Sequence, residues 1–574
     1  MEPRSGGGED CSHLIGRRAL QTSTFSRRGF LRVSVGTLAL SLATACAPVQ
    51  KDAAPAAGAS TKSTSSSPGA AALPTYVPFQ GPKPDFPPSA DGIVPAGYLT
   101  FPQTLVKSTT GTVGKQGDAV SFLTYSINPT PAPADQNPAW QQVNKDLGLD
   151  LKFTYTALQD YNVKLNTVIA SGQLPDIFTM NVLGVLIANE IDFFQTQCAD
   201  LTPFLSGDAI KAFPNLANLP QTAWRNCIFN GKLYALPRVV NAVGSTLLVQ
   251  QNLLDEIGVK EIKKRDDFAR VVKETTRNNI YGMGGMQANT MQWMLEMFRA
   301  PNQWRQTGGK FTRDWETPEY KDAVAMLKSF WDAGYVHPDT PTYTQQQGAQ
   351  PFYAGKFGMY PTNFFAFGIA WDRLLGINKQ FRLNALSPVG FDGGKGVQFQ
   401  DWGGNQISVL KKGSPERIQQ VLGVLNYLAS PFGTQEYLNL WYGQKGTDFN
   451  FDEKGNPVYT QAGQNNVQYI AWQTIISPPP VLFDALDPNF VKLAHPIETA
   501  AHDLAITDPT VGLYSPTYAT KGASLTMAMI DGVNGILFGR SELNSLDALV
   551  KTWRANGGDQ IKNEYEEAFQ RSRQ

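Results

Sequence analysis

The sequence predicts an α/β protein built on a parallel sheet, and three features carry that prediction. Between residues 120 and 172 short alternating stretches and longer amphipathic stretches follow one another as strand, helix, strand, helix. That order implies right-handed βαβ units. The chain has 574 residues, room for two or three domains and a large buried core. Its charged fraction is 17%, with 49 Lys+Arg against 49 Asp+Glu, below the ~25% of ordinary globular proteins. A neutral, weakly charged chain offers no electrostatic footprint for nucleic acid.

Each element has a local reason. Val120 to Tyr125 alternates as a strand does and runs into a Pro-rich loop over 128–137. Pro138 suits the first turn of a helix ending at Leu147. Leu151 to Ala157 reads as a second strand and Tyr161 to Ser171 as a second helix, with Val163, Leu165, Val168 and Ile169 apolar and Gly172 as its stop. Met291 to Phe298 reads as a further helix.

The N-terminal region is set apart from the fold. Ser26-Arg27-Arg28-Gly29-Phe30-Leu31-Arg32 resembles a twin-arginine export signal, with Arg32 where Lys is usual. The apolar stretch from Val33 to Ala45 is too short to span a bilayer. It ends in Leu42-Ala43-Thr44-Ala45-Cys46, similar to a bacterial lipobox, with Ala43 in place of the usual Leu. Cleavage there would put lipid on Cys46, and at ~0.8 kcal/mol per buried CH₂ two or three acyl chains hold firmly. From Ala47 to Thr75 the chain is nearly all Ala, Ser, Thr, Pro and Gly. It reads as a disordered tether with ends roughly 30 Å apart. A Pro-rich strap with scattered aromatics follows.

Metal and catalytic signals are sparse. Four His and four Cys argue against a multi-ligand metal centre, and no metal or cofactor is expected. Asp448 to Gly455 has the early oxygens of a calcium loop but Glu453 where Gly is required; a hairpin through Glu453 to Pro457 explains it better. No G-x-S-x-G, H-E-x-x-H or P-loop is present, and Gly393-Gly394-Lys395-Gly396 lacks the spacing of a phosphate loop. A disulfide between Cys198 and Cys227, closing about 30 residues for ~3 kcal/mol, and two buried thiols both fit the sequence.

Several segments carry a family resemblance. Tyr161-Asn-Val-Lys164-Leu165-Asn166 with Ala170-Ser171-Gly172-Gln173-Leu174-Pro175-Asp176-Ile177 resembles a segment of ABC-transporter extracellular solute-binding proteins of the sugar-binding family 1 type. Asp200 to Leu205, Gly231 to Arg238, Leu247 to Gly258, Tyr353 to Met359 and Leu425 to Ser430 continue it in family order. Where many relatives carry a calcium loop, Thr275 to Gly282 has no acidic residue, so no calcium site is carried over. The resemblance implies a two-lobed periplasmic-binding-protein-like fold, with a hinge and a ligand cleft between lobes. On that basis residues 1–45 are the signal peptide, 46–75 the tether and 76–115 the strap. Residues 116–237 form lobe one and 238–388 lobe two, with 389–574 a recrossing segment near Asp401 to Ile407 and a C-terminal helical part shared between lobes.

A sugar pocket needs aromatic plates for C–H faces and Asp, Asn, Gln or Arg for hydroxyls. Loops at strand ends and lobe crossings supply the candidates Tyr125, Asn128, Asp176, Asn181, Arg238, Asn241, Asp401, Trp402 and Asn405. Gln287, Asn289, Trp293, Asn363 and Phe365 are added from lobe two. The resemblance implies no catalysis. It implies a monomeric, exported, lipid-anchored protein on the outer face of the cytoplasmic membrane, which captures a carbohydrate, an oligosaccharide by expectation, and passes it to ABC permease subunits. The alternatives are a secreted carbohydrate-active hydrolase and a binding protein for a non-sugar solute; an adhesive lipoprotein would carry repeats that the sequence lacks.

Overall fold

The computed structural model describes residues 72–126, 130–181, 190–240, 244–377, 381–400, 406–468, 470 and 472–572. The signal residues Arg27 and Arg28 and the lipidation candidate Cys46 lie outside them. Strand β1 (Ala96–Tyr98) belongs to the strap. The body begins with β2 (Ala119–Ser126), helix α1 (Pro138–Leu147), β3 (Asp150–Ala157), α2 (Tyr161–Ser171) and β4 (Ile177–Asn181). These lie within a residue or so of the expected elements. Asn137 caps α1 by accepting the Trp140 N–H at 3.1 Å, and Gly148, at φ 71°, ends it. In α2 the buried face is Tyr161 and Leu165, whereas Val163 is 72% exposed. The Tyr161 hydroxyl replaces it as the anchor, donating to the Thr179 carbonyl at 2.8 Å.

The first sheet is completed by β5 (Ala235–Pro237) and by a late strand, and the second by four strands between them. Those four are β6 (Ser245–Gln250), β7 (Tyr281–Met283), β8 (Phe357–Asn363) and β9 (Leu383–Leu386). Helix α3 (Gln287–Met297) lies between β7 and β8. The short β10 (Gln398–Phe399) pairs in parallel with Ala505–Ile506, and β11 (Gln406–Leu410) is the late strand of the first sheet. Sheet one has the order β3-β2-β4-β11-β5, all parallel except β11. Sheet two has the order β9-β6-β8-β7, with β6 running against the rest.

Each sheet has its own core, making two α/β lobes. Core one draws on residues 120–239 and 407–476, including helix α4 (Pro415–Leu428). Around sheet two, residues 247–399 pack with 525–565, and a further cluster joins 352–385 to 482–501. The latter rests on α5 (Asn489–His502) and the former on α6 (Pro516–Leu537). The C-terminal third is therefore divided between the lobes near residue 480. Among the described residues no helix is long and apolar enough to cross a membrane.

Ala72, a few residues before the expected end of the tether, already touches lobe one, its carbonyl accepting the Ser206 hydroxyl at 2.7 Å. The Thr75 and Val77 N–H groups donate to the Gly207 and Ala217 carbonyls of lobe one. Further on, β1 pairs in parallel with β12 (Val481–Phe483) beside α5. The chain then returns to lobe one, where buried Glu436 accepts the N–H groups of Ser108 and Thr109. Cys198 and Cys227 are buried free thiols, which answers the question left open by spacing. Residues Phe449–Phe451 and Pro457–Tyr459 form the expected hairpin, its turn closed by Asp452, which accepts the Lys454 and Asn456 N–H groups at 2.8 Å.

Candidate ligand-binding site

The direction of the strands decides where the two lobes meet. In sheet one the carboxyl ends of β2, β4 and β5 share an edge with the start of β11, since Gln406 pairs with Asn181. In sheet two the carboxyl ends of β7 and β8 share an edge with the start of β6, since Asn363 pairs with Ser245. The chain leaves β5 at one edge and enters β6 at the other; it returns from β10 to β11 in the same way. The two carboxyl-end edges therefore converge on one junction, the place where α/β sheets bind ligands. A third crossing passes through the prolines 478–480, between core one and β12. The first two crossings touch: a Cβ on Gly244 would lie 2.7 Å from the Phe399 carbonyl oxygen, so only glycine fits there.

On the sheet-two side this junction opens into a cavity of about 470 Å³. Its walls come from the start of β6 (Gly244, Ser245), helix α3 (Gln287, Asn289, Gln292), the end of β8 (Thr362, Asn363) and the crossing (Phe399, Gln400). Apolar surface from Met291, Leu295, Tyr320 and Val533 alternates with these polar groups. The buried amide nitrogens Asn289 Nδ2 and Gln400 Nε2 have no hydrogen-bond partner among the described residues. Such groups are costly unless something binds them.

Beneath the cavity, buried Glu296 ties the two crossings to α3. Its Oε1 accepts from Phe399 N at 3.0 Å, Gln292 Nε2 at 3.1 Å and Gln398 Nε2 at 3.2 Å, and its Oε2 accepts from the Ser245 hydroxyl. Burial pushes this carboxyl up to about 7, against the pull of those hydrogen bonds. Asp314, on another wall, is likewise raised by burial to about 6, with Arg313 opposing the rise.

The structure sorts the expected site residues. Gln287, Asn289 and Asn363 line the cavity, and Asn363 also caps the following helix by accepting the Ala366 N–H at 2.9 Å. Tyr125 ends β2, buried edge-on against Tyr161 at 5.7 Å. Arg238 follows β5 and donates to Gln406 Oε1 at 2.8 Å and to the Gln473 carbonyl; its burial lowers its basicity. Asn181 ends β4 at the same edge. Phe365 is 76% exposed beside Asn363 but outside the cavity wall.

Two expectations are corrected. Trp293 is 1% exposed within the lobe-two core, because its position on α3 faces the sheet and not the junction. Asp176 precedes β4, at the opposite end of sheet one. There it binds Ser121 N at 2.8 Å and pairs with Arg417 of α4 at 2.8 Å, which makes it a structural residue. Asn128, Asn241, Asp401, Trp402 and Asn405 lie outside the described residues. Sequence reasoning missed Gln292, Gln400, Asn302, Gln303 and Asp314, all on the cavity wall. The one legible signal was the alternation Val397-Gln398-Phe399-Gln400 running into the crossing.

The chain is similar to known proteins in sequence and in fold. The polygalacturonan/rhamnogalacturonan-binding protein YtcQ of Bacillus subtilis is 25% identical over 458 residues, covering 76% of this chain and 88% of that one. Lipoprotein LipO of the same organism is 23% identical over 484 residues, covering 79% and 93%. Among solved structures, an HMO-binding, ABC-transporter-associated solute-binding protein from Bifidobacterium longum infantis superposes with a TM-score of 0.59 at 15% identity. It covers 79% of this chain and 99% of that one. Residues 139–444, more than half of the chain, match the description of the bacterial extracellular solute-binding proteins, and the protein belongs to that family.

Proposed function

We propose that this protein captures a carbohydrate outside the cytoplasmic membrane and delivers it to an ABC importer. The observation that carries the reading is the junction cavity, where unpartnered amides stand among apolar walls at the carboxyl ends of strands. That surface suits a ring with hydroxyl edges and C–H faces. The name of the Bacillus relative YtcQ supports a saccharide ligand and puts acidic galacturonans among the candidates beside neutral chains. Capture is binding without chemistry: contacts to both edges of the junction select the closed arrangement of the lobes. The twin-arginine segment around Arg27 and Arg28 directs export, and Cys46 carries the lipid that holds the monomer to the membrane. The similarity to LipO, a lipoprotein, supports the anchor.

Thermal unfolding with a panel of mono- and oligosaccharides tests the reading. A ligand at 100 times its Kd adds ~2.7 kcal/mol and raises Tm. A shift with one saccharide that is recovered intact is the expected result. Sugar consumed in the assay promotes the hydrolase, and no shift with any saccharide removes carbohydrate from the reading.

A further inference from the structure

The charged side chain on the cavity wall is an acid. Among the described residues its wall holds Asp314 and no lysine, arginine or histidine. Glu296, a second acid, hydrogen-bonds three wall residues, Ser245, Gln292 and Phe399. The cation next to Asp314 is Arg313, which is 5% exposed, does not line the cavity and is already paired with Asp314. Its Nε lies 3.2 Å from Asp314 Oδ1, its Nη1 donates to Gln303 at 3.2 Å, and its guanidinium sits 4.1 Å over the Trp315 ring. At the facing edge Arg238 is committed to Gln406 and the Gln473 carbonyl. The segments 127–129, 182–189, 241–243 and 401–405 contain no lysine or arginine.

A carboxylate entering such a cavity gives up its water and meets the Asp314 carboxylate in a poorly screening environment, with no cation on the described wall to pair it. An uncharged hydroxyl meets no such penalty. It accepts from Asn289 Nδ2 or Gln400 Nε2 and donates to Asp314, so both sides gain a partner. Burial pushes the Asp314 carboxyl up to about 6, while Arg313 beside it favours the charged form.

We infer that the cavity selects uncharged saccharide units and rejects uronates, with Asp314 as the residue that discriminates; this rests on the carbohydrate reading above. The test is calorimetric titration of the purified protein at pH 7 with paired oligosaccharides. One pair is oligogalacturonate and its fully methyl-esterified counterpart, which differ in charge and not in ring. The panel also holds oligoalginate, neutral galactan and mannan fragments, and milk-type and fructan oligosaccharides. The expected result is binding of an uncharged member, with free acids at least tenfold weaker than their uncharged partners. A free acid that binds as tightly as its ester or as the best neutral sugar overturns the inference and leaves the carbohydrate reading intact. If no member binds, the carbohydrate reading falls and takes the inference with it. The variants Asp314→Asn and Gln287→Lys are each expected to narrow the gap by strengthening the free acid. If Asp314→Asn does not fold, the lysine variant and the wild-type ratio still decide.

Discussion

Replacing Glu296 by glutamine makes the cost of its buried carboxyl measurable. Folding raises this group from its ordinary 4.5 to about 7, so the native state holds the proton more tightly than the unfolded chain. The stability it contributes is then complete below about pH 4.5 and is lost as pH rises through about 7. The separation of those values, at 1.36 kcal/mol per pH unit, corresponds to about 3 kcal/mol lost by pH 8. In Glu296→Gln the amide oxygen still accepts from Phe399 N and Gln398 Nε2, and the Ser245 hydroxyl turns to accept from the new NH₂. The variant has no charge to bury. Urea denaturation at pH 5, 6, 7 and 8 should show the two proteins nearly equal at pH 5 and the variant up to about 3 kcal/mol more stable at pH 8. Asp314 also favours folding at low pH, but it is present in both proteins and cancels in the difference. Parallel stability curves for wild type and variant would refute the reasoning.

Other perturbations separate the binding surface from the scaffold. Asn289→Ala and Gln400→Ala remove amides whose nitrogens have no partner among the described residues; each should weaken saccharide binding by ~1–3 kcal/mol while Tm stays nearly constant. Trp293→Ala should cost ~3–5 kcal/mol in denaturant titration, the penalty of a large core side chain. Asp176→Ala leaves Arg417 and Ser121 without their acceptor and should cost about 1–3 kcal/mol, with saccharide affinity unchanged by calorimetry. Glu436→Ala releases the strap at Ser108 and Thr109, and limited trypsin digestion should then cut faster at Lys107 and Lys115.

Lobe one was legible because its signals are local. Pro138 and Gly148 bracket α1, Gly172 stops α2, and the alternation of β2 and β3 marks strands wherever they pair. The site was only half legible, because a residue's distance from the junction depends on which end of a strand carries it. Asp176 and Asn181 flank the same strand, yet only Asn181 is at the edge shared with β11. Trp293 and Asn289 lie one turn apart on nearly the same face of one helix, and that displacement of about 6 Å along its axis puts one in the core and the other on the cavity wall. Gln303 and Asp314 reach the cavity through long-range packing of lobe two that no local period encodes. Nor did the sequence period of α2 distinguish Leu165, buried, from Val163, exposed, since both are apolar.

Two bodies joined by one peptide swivel freely; joined at three points, they behave as a door on its hinges. Here the linkages are the two touching crossings, the proline segment 478–480 and, in addition, the strap, which is fastened to lobe one at both ends and to lobe two in between. Linkages of this kind oppose sliding and twisting of the lobes more than a change in the angle between them. A single pair of dyes, one on each lobe, is then a sufficient gauge of occupancy. A transport partner that recognises the angle alone needs no contact with the sugar to know that the cavity is filled.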